Sequence, residues 1–321
     1  MNRTTRRDAW LAALAFLATA AYAQTYPTRP ITIIVGYSAG GAVDIVARAV
    51  GQQLQTSLGQ PVVVENKPGA GTNIATRALI DAAPDGQTLM LAANALAANV
   101  SLFQPAPYQL DRVTPIAQIG RVPVVIATQP QSKVDSVQAL VAQSKAKPGS
   151  VDFGTPGNGS TPHLAVELFA HAAGIRLTHV PYKGGAPAIT DAIAGHIQTV
   201  AVNALEVMPQ VKAGRLRVIA VLSDKRSAIF PDAPTIAESG FPGFEASVWY
   251  GLVGPAGMPP AVVARLQQEV QRALAAPEVR ERLTSAGGEV TPGPTSAFAG
   301  LVRSEQQRYE KLIREAAIKP D

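Results

Sequence analysis

Residues 31–44, ITIIVGYSAGGAVD, set the fold class of this chain. The apolar, β-branched start predicts a short buried strand, and the residues after Gly41 predict the start of a helix. Gly40 and Gly41 allow a tight turn that brings backbone N–H groups towards a bound group, and a helix N-terminus favours negative charge. A plain strand-to-helix connection, with Asp44 stabilising the first helical turn, explains the same residues equally well.

The strand-turn-helix pattern repeats from Ile31 to Val221, which predicts an α/β fold with parallel strands. The predicted strands are 31–35, 61–65, 88–92, 122–128, 151–154, 177–181, 199–203 and 216–221. The predicted helices between them are 43–58, 73–82, 136–147, 162–173, 187–194 and 205–213.

After Leu222 the pattern changes to an irregular stretch and an apolar segment. Three predicted helices follow, at 260–275, 277–286 and 295–317. Because these helices have too few strands to form a separate unit, we expect them to return to the first domain and make it discontinuous.

The length of 321 residues suits two domains, and 47% hydrophobic residues suffice for their cores. The net charge of +5 falls to +3 when Arg3, Arg6, Arg7 and Asp8 are removed with the N-terminal segment. This charge is too small and too dispersed to indicate a nucleic-acid partner, which needs clustered Lys and Arg. The sequence contains no Cys, so burial alone holds the fold and a lipid on an N-terminal Cys is excluded.

Residues 1–23 have the three parts of a secretory signal peptide. Three Arg residues form the charged start, an apolar run extends from Trp10 to Ala21, and Ala21-Tyr22-Ala23 supplies a small-x-small cleavage site. The run is shorter than the roughly 20 residues that span a bilayer, although an uncleaved membrane anchor stays open. We therefore expect export to a bacterial periplasm and cleavage after Ala23.

Three further polar, glycine-rich turns follow predicted strands. They are KPGAGTN at 67–73, GTPGNGSTPH at 154–163 and PYKGGAP at 181–187. Ligands of open α/β sheets bind beyond the carboxyl ends of the strands. Four such loops, two in each half of the chain, therefore predict two facing rims of a binding cleft.

A secreted serine hydrolase is the alternative from another functional class, because residues 36–40 match the nucleophile pattern G-x-S-x-G. Ser38 would be its nucleophile. Against this interpretation, the turn follows the first strand instead of a central one, and no His-Gly-Gly oxyanion segment precedes it. The glycine spacing fits neither a dinucleotide fingerprint nor a P-loop.

The four histidines do not have the spacing of a metal site. We expect His171 and His179 to be structural, whereas His163, at a helix start beside a rim, is a candidate for the pocket. Trp249 and Tyr250 are expected where the chain crosses between domains, and either core packing or contact with a ligand would explain them.

Six short motifs together form a specific pattern. They are Gly40-Gly41 with Asp44, PVVVENKPGAG at 61–71, PDGQTL at 84–89, GTPG at 154–157, VPYKG at 180–184 and KAGRLR at 212–217. On these motifs the chain, from residue 26 to its C-terminal helices, resembles the periplasmic solute-binding receptors of tripartite tricarboxylate transporters, often called Bug receptors. The resemblance implies a Venus-flytrap fold of two α/β domains with a small carboxylate-containing organic acid in the cleft. It places the domains at 24–121 with 250–321, and at 122–249.

The resemblance also implies which residues meet the ligand. First-domain loops hold one carboxylate through backbone groups and ordered waters, and the second domain supplies specificity. The residues expected at the site are Tyr37, Ser38, Ala39, Gly40, Gly41, Gly71, Thr72, Asn73, Asn94, Thr155, Pro156, Gly157, Asn158, Gly159, Ser160, His163, Lys183, Gly184, Gly185, Ala186, Asn203 and Trp249. The chain has Tyr37, Thr72 and Val202 where many relatives have Phe, Gly and Asp. Loss of that Asp weakens the expectation of an amine-bearing ligand.

The resemblance implies a binding protein and not an enzyme. The expected partners are the organic acid and, transiently, the membrane subunits of the transporter. We expect a monomer with no metal and no cofactor. A receptor that senses its ligand for signalling uses the same clamshell, so sensing stays open beside uptake.

Overall fold

The computed structural model describes residues 26–223, 225–227, 229–285 and 288–320. The predicted signal peptide and its cleavage site lie outside these residues. In the described part of the chain, no helix is long and apolar enough to cross a membrane. The described strands belong to one mixed sheet with helices packed on it, so the predicted α/β class is confirmed.

In the first half of the fold, three parallel strands lie in the order β2-β1-β3. The elements are β1 (Ile31–Val35), α1 (Ala42–Leu58), β2 (Val62–Asn66), α2 (Asn73–Ile80), β3 (Thr88–Ala92) and α3 (Ala95–Leu102). Strand β1 contributes Ile33 to one apolar cluster and Ile34 to a second. It is therefore buried on both faces, as strands of α/β sheets are. The carboxyl ends of these strands form the first rim of the cleft.

Two long antiparallel strands connect the halves: β4 (Val113–Thr128) and β9 (Ser247–Pro255). The prediction that the strand begins at 122 was wrong, because β4 starts nine residues earlier and runs for 16 residues. Pro115 and Gly120 lie in its first part, and because of them the sequence of that part did not resemble a strand. Both residues lie at irregularities in the pairing with β9, where strand patterns tolerate them.

In the second half, β6-β5-β7 are parallel neighbours, and β4 pairs antiparallel with both β7 and β8. The elements are α4 (Val137–Ala146), β5 (Asp152–Thr155), α5 (Thr161–Ala173), β6 (Thr178–Pro181), α6 (Gly185–Ala194), β7 (Thr199–Asn203), α7 (Ala204–Lys212) and β8 (Arg217–Val221). The sheet is thus mixed and not purely parallel. The carboxyl ends of β5, β6 and β7 form the second rim.

The C-terminal elements cover the first half. They are α8 (Pro260–Ala275), α9 (Pro277–Thr284), β10 (Glu289–Val290) and α10 (Thr295–Glu315). Helix α8 packs on α1 and β4, while α10 packs on α3 and β4. Phe298 of α10 meets Trp249 of β9 edge-on, with 5.4 Å between the ring centroids. The exact domain limits stay a prediction, and the positions 121/122 and 249/250 fall inside the crossing strands.

Candidate ligand-binding cleft

Loops from the two rims enclose two adjacent cavities. The small cavity has a volume of about 20 Å³ and the larger cavity one of about 180 Å³. Tyr37 of the first half and Pro156 of the second half line both. The turns that the glycine patterns single out therefore do meet in space, across the line where the halves face each other.

The rims are in direct contact at Ser38 and Lys183. The backbone N–H and the hydroxyl of Ser38 both donate to the carbonyl oxygen of Lys183, at 2.8 and 2.7 Å. A Cβ atom at Gly184 would lie 3.0 Å from the nitrogen of Ser38, in a backbone conformation (φ 151°) that other residues rarely adopt. Glycine is needed here because the two loops approach too closely for a side chain.

Asp44 fixes the conformation of the loop between β1 and α1. Its carboxylate accepts hydrogen bonds from the N–H of Gly40 (2.9 Å) and the amide of Asn66 (3.0 Å), and it pairs with Arg48 at 2.9 Å. Burial raises the pKa of Asp44, but the hydrogen bonds from Arg48, Gly40 and Asn66 outweigh it and lower that pKa overall. The Asp44 carboxylate is therefore charged, and it uses its hydrogen bonds to hold the loop.

Few N–H groups of this loop are free for a ligand. Ser38 donates to Lys183, Gly40 donates to Asp44, and Gly41 makes a long bond of 3.4 Å to the carbonyl of Ser38. Ala42 and Val43, at the first turn of α1, line the small cavity. The helix N-terminus, more than the turn before it, thus supplies the donors at this cavity, and one of them, the Ala42 N–H, already faces the Glu206 carboxyl group.

The loop before α2 has an unusual backbone. Gly71 and Thr72 have φ angles of 60° and 79°, and for a β-branched residue such as Thr72 the left-handed region is strained. The Thr72 hydroxyl is buried without a hydrogen-bond partner among the described residues, and Thr72 lines the larger cavity. The Asn99 side chain supports this loop by donating to the Gly71 carbonyl at 2.6 Å. Backbone strain beside a cavity is typical of functional sites.

Two histidines support the loop between β5 and α5 from behind. The rings of His163 and His179 stack with 4.1 Å between centroids. The N–H of Gly159 donates to Nδ1 of His163 at 3.2 Å, and Thr155 Oγ1 lies 2.7 Å from Nε2 of His179. Burial lowers the pKa of His179 to about 4, so that ring is neutral at physiological pH. His163 is buried behind the loop and lines neither cavity.

Glu206, in the first turn of α7, lies in the wall of the small cavity, although the sequence analysis did not single it out. It is 8% exposed, and its Oε1 accepts a hydrogen bond from the Asn203 amide at 2.9 Å. A Cβ atom at Gly185 would coincide with the Glu206 carboxyl group, so this glycine makes room for it. Burial raises the pKa of Glu206 to about 7, against the lowering effects of Asn203 and the backbone N–H of Ala42.

The structure brings a subset of the predicted residues to the cavities. Those at the small cavity are Tyr37, Gly41, Pro156, Ser160, Gly185 and Asn203. Those at the larger cavity are Tyr37, Gly71, Thr72, Pro156, Gly157, Asn158 and Lys183. Lining residues that the sequence analysis missed are Gly36, Ala42, Val43, Gly69, Ala70, Ala93, Thr161, Pro162, Pro181, Tyr182, Glu206 and Val248.

Other predicted residues lie beside or behind the cavities and line neither of them. They are Ser38, Ala39, Gly40, Asn73, Asn94, Thr155, Gly159, His163, Gly184, Ala186 and Trp249. Asn94 accepts a hydrogen bond from the backbone N–H of Trp249 and donates to Glu305 and Tyr309. Its role in the structure is to tie β9 to α10.

No group of three or more possible metal-ligating side chains occurs within the described ranges. The hydroxyl of Ser38 bonds to a backbone carbonyl and not to a histidine. The polar groups of the two rims are therefore placed to bind a small molecule between them.

Comparison with protein families gives a match over most of the chain. The model described as "Tripartite tricarboxylate transporter family receptor" matches residues 46–318. Protein BugT of Bordetella pertussis is 39% identical over 310 residues, which is 96% of this chain and 95% of BugT.

Solved structures resemble the whole described fold. The periplasmic binding protein BugD has a TM-score of 0.88 and 31% identity, over 92% of this chain and 100% of BugD. MatC from Rhodopseudomonas palustris with bound malate has a TM-score of 0.86 and 30% identity, over 90% of this chain and all of MatC. Rpa4515 from R. palustris with adipate has a TM-score of 0.87 and 32% identity, over 92% of this chain and all of Rpa4515.

Proposed function

The chain belongs to the tripartite tricarboxylate transporter receptor family, and on this basis we propose that it captures a small carboxylate-containing organic acid in its cleft and delivers it to a membrane transporter of that type. The observation that carries the proposal is the pair of adjacent cavities between the rims. The N-terminal turn of α1 meets loops of the second half at the small cavity, and the larger cavity is also lined by both halves, so one molecule that extends through the two can touch both halves at once. The carboxylates bound by two structural neighbours, malate and adipate, support the same ligand class.

The energetics require more than one helix. A helix N-terminus contributes roughly 0.3–1 kcal/mol to anion binding, and up to ~2 when partly buried. Micromolar affinity requires roughly 8 kcal/mol. The balance comes from charge-assisted hydrogen bonds, bridging waters and burial of the ligand as the rims close on it.

The direct test is to identify what the protein carries. Protein purified from its native host is gently denatured, and the released small molecules are analysed by mass spectrometry beside a mock purification. We expect an organic acid in stoichiometric amount, which then binds again to the refolded protein in a calorimetric titration. A released compound without a carboxylate would contradict the proposed ligand class.

We propose that closure on the ligand bends the chain near 120–123 and 247–251. These two segments are paired side by side in β4 and β9, with Gly120 opposite Tyr250 and Pro123 opposite Ser247. Hinge closure is common in periplasmic binding proteins. Small-angle scattering should give a smaller radius of gyration with saturating ligand than without it. An unchanged radius would indicate a rigid pocket.

Delivery to a transporter requires export, and we propose that the mature protein begins at Gln24. The small-x-small site that ends at Ala23 supports this position. The intact mass of protein from the periplasmic fraction should correspond to a chain starting at Gln24. A mass that still includes residues 3–21 would favour a membrane anchor.

Ser38→Ala separates the binding protein from the hydrolase. We expect no esterase activity in the wild type and therefore none to lose. The variant loses one hydrogen bond between the rims, worth about 0.5–1.5 kcal/mol, and should bind its ligand up to roughly tenfold more weakly. Ester hydrolysis by the wild type that disappears in Ser38→Ala would support the hydrolase instead.

Uptake and sensing use the same cleft, and family membership favours uptake. Deletion of the gene should abolish accumulation of the labelled ligand by cells. Normal accumulation together with a lost transcriptional response would indicate a sensor.

A further inference from the structure

A groove beside the ligand cleft joins the two halves of the fold. It has a volume of about 410 Å³ and lies between α1 of the first half and helices α6 and α7 of the second half. Its apolar residues include Ile45 of α1, Ile189 and Ile193 of α6, and Leu205 of α7. Glu206 lines both this groove and the small cavity, and the other residues of the groove line neither ligand cavity. The groove is therefore a surface of its own.

The shape of the groove depends on contact between the two rims. Gly40 of the first rim and Ala186 of the second both line it, and a Cβ atom at Gly40 would lie 3.9 Å from the Cβ atom of Ala186. The hydrogen bond from Ser38 to Lys183 joins the same two loops. If the rims separate, α1 moves away from α6 and α7 and the groove widens. The groove therefore differs between the closed and the open arrangement of the halves.

Unpaired positive charge borders the groove at the end of α7. Lys212, the last residue of α7, and Arg215, which lines the groove, are both exposed. Neither forms an ion pair within the part of the chain that the structure describes. Of the acids on the same helices, Asp191 is paired with His196 and Glu206 is buried. This edge of the groove therefore attracts acidic groups.

A polar atom inside the groove also lacks a partner. Gln210 lines the groove, and its Oε1 is buried without a hydrogen-bond partner among the described residues. Buried acceptors in native proteins are normally satisfied. An apolar wall, a free acceptor and cations at the edge together match a protein segment that carries apolar, donor and acidic groups on one face, and helices commonly bind apolar grooves in this way.

We propose that this groove receives an acidic amphipathic segment of the membrane transporter, which thereby binds the closed protein in preference to the open one. This inference rests on the proposed function and names the surface that delivery uses. The apolar face of the segment packs on Ile45 and Ile193, and its acids pair with Lys212 and Arg215. Both cations belong to the KAGRLR motif at 212–217, which the ligand cavities do not use. Because the groove changes with closure, a partner that fits it has a differential affinity for the two arrangements.

The test separates capture of the acid from its delivery. The test variant is the double reversal Lys212→Glu with Arg215→Glu. The matched control is Lys145→Glu with Lys147→Glu, which makes the same change in charge at exposed positions in and after the last turn of α4. Each protein is titrated calorimetrically with the acid released from the native protein. Each is also expressed in cells that lack the chromosomal gene, and accumulation of the labelled acid is measured.

We expect both variants to bind the acid within about threefold of wild type, because neither changes a residue of the ligand cavities. Accumulation should fall at least about tenfold for the reversal at the groove, since like charges across an interface cost several kcal/mol. The control should accumulate the acid normally. Normal accumulation by the groove variant, an equal loss in the control, or a loss of acid binding in the groove variant would each overturn the inference. If wild type binds the acid but restores no accumulation, the proposed delivery fails, and this inference fails with it.

A photoreactive residue in place of Thr190, an exposed residue of the groove, identifies the occupant in intact cells. We expect a crosslink to an integral membrane protein that becomes stronger when the acid is present and is lost in the groove variant. A crosslink to a second copy of this chain would overturn the inference in favour of a dimer. Binding of the purified protein to vesicles of phosphatidylcholine and phosphatidylglycerol, lost in the groove variant, would overturn it in favour of a lipid surface.

Discussion

Gly41→Asp is expected to abolish binding of the ligand, with a loss of affinity of at least a hundredfold. A side chain at this position would lie 3.8 Å from the nitrogen of Gly185 and 4.0 Å from Glu206 Oε2, counted from its Cβ atom. The new carboxylate would thus occupy the end of α1 that we propose for the carboxylate of the ligand. Two unit charges 4 Å apart repel by about 4 kcal/mol at an effective dielectric constant of 20, which is roughly three powers of ten in affinity.

Gly41→Asn is the matched control, because it has nearly the same shape without the charge. Gly41 has a φ of −76°, which any residue adopts, so neither substitution strains the backbone at this position. Asn should therefore weaken binding much less than Asp. The measurement is a calorimetric titration of wild type and both variants with the acid released from the native protein. Equal affinities for all three proteins would remove the α1 terminus from the site.

The regular elements of the fold were largely predictable from sequence, because their signals are local. Strand β1 and helix α1 have clear β-branched and amphipathic patterns between glycine turns. Helix α3, over Ala95–Leu102, was missed because it is apolar on nearly all sides and so lacks the alternation that identifies a surface helix. The first part of β4 was missed because Pro and Gly within a run usually indicate a break.

The site was predictable only as a set of loops. Glycine patterns located both rims, but which N–H groups remain free depends on contacts between residues far apart in sequence. Ser38 with Lys183 is one such contact, and Asp44 with Asn66 is another. Glu206 gave no local signal, because an acid in the first turn of a helix is ordinary. Its importance arises from the burial that Gly185, on a different helix, permits.

The burial of Glu206 should be measurable as a pH-dependent term in the stability of the ligand-free protein. Its pKa in the folded state is about 7, against an ordinary value of 4.5, so the folded state holds this proton more tightly than the unfolded state. The stabilisation is fully present below pH ~4.5 and is lost as the pH rises through about 7. From this shift, the contribution of Glu206 to the free energy of unfolding should fall by about 3 kcal/mol over that window.

Glu206→Gln isolates this term, since the amide cannot titrate and has nearly the same size. His179, whose pKa is lowered to about 4, affects stability over part of the same pH range in the opposite direction. Its contribution to the free energy of unfolding increases as the pH rises, because the buried ring is favoured in its neutral form. The pH dependence of wild-type stability alone would therefore conceal the contribution of Glu206. Both proteins contain His179, so its contribution cancels in the difference in unfolding free energy between wild type and Glu206→Gln. Urea unfolding at pH 4.5, 6, 7 and 8 should show that this difference shifts by about 3 kcal/mol in favour of the variant.

The control is Glu238→Gln, which removes an exposed acid whose pKa is lowered by hydrogen bonds from the Thr235 backbone and Arg226. Its stabilisation is present above the ordinary pKa of a glutamate and is lost only in more acidic solution, so its difference from wild type should stay level between pH 6 and 8. A difference between wild type and Glu206→Gln that also stays level would mean that the Glu206 carboxyl group is solvated in solution. The cleft would then be open in the free protein, and Glu206 would reach its buried position only when the rims close.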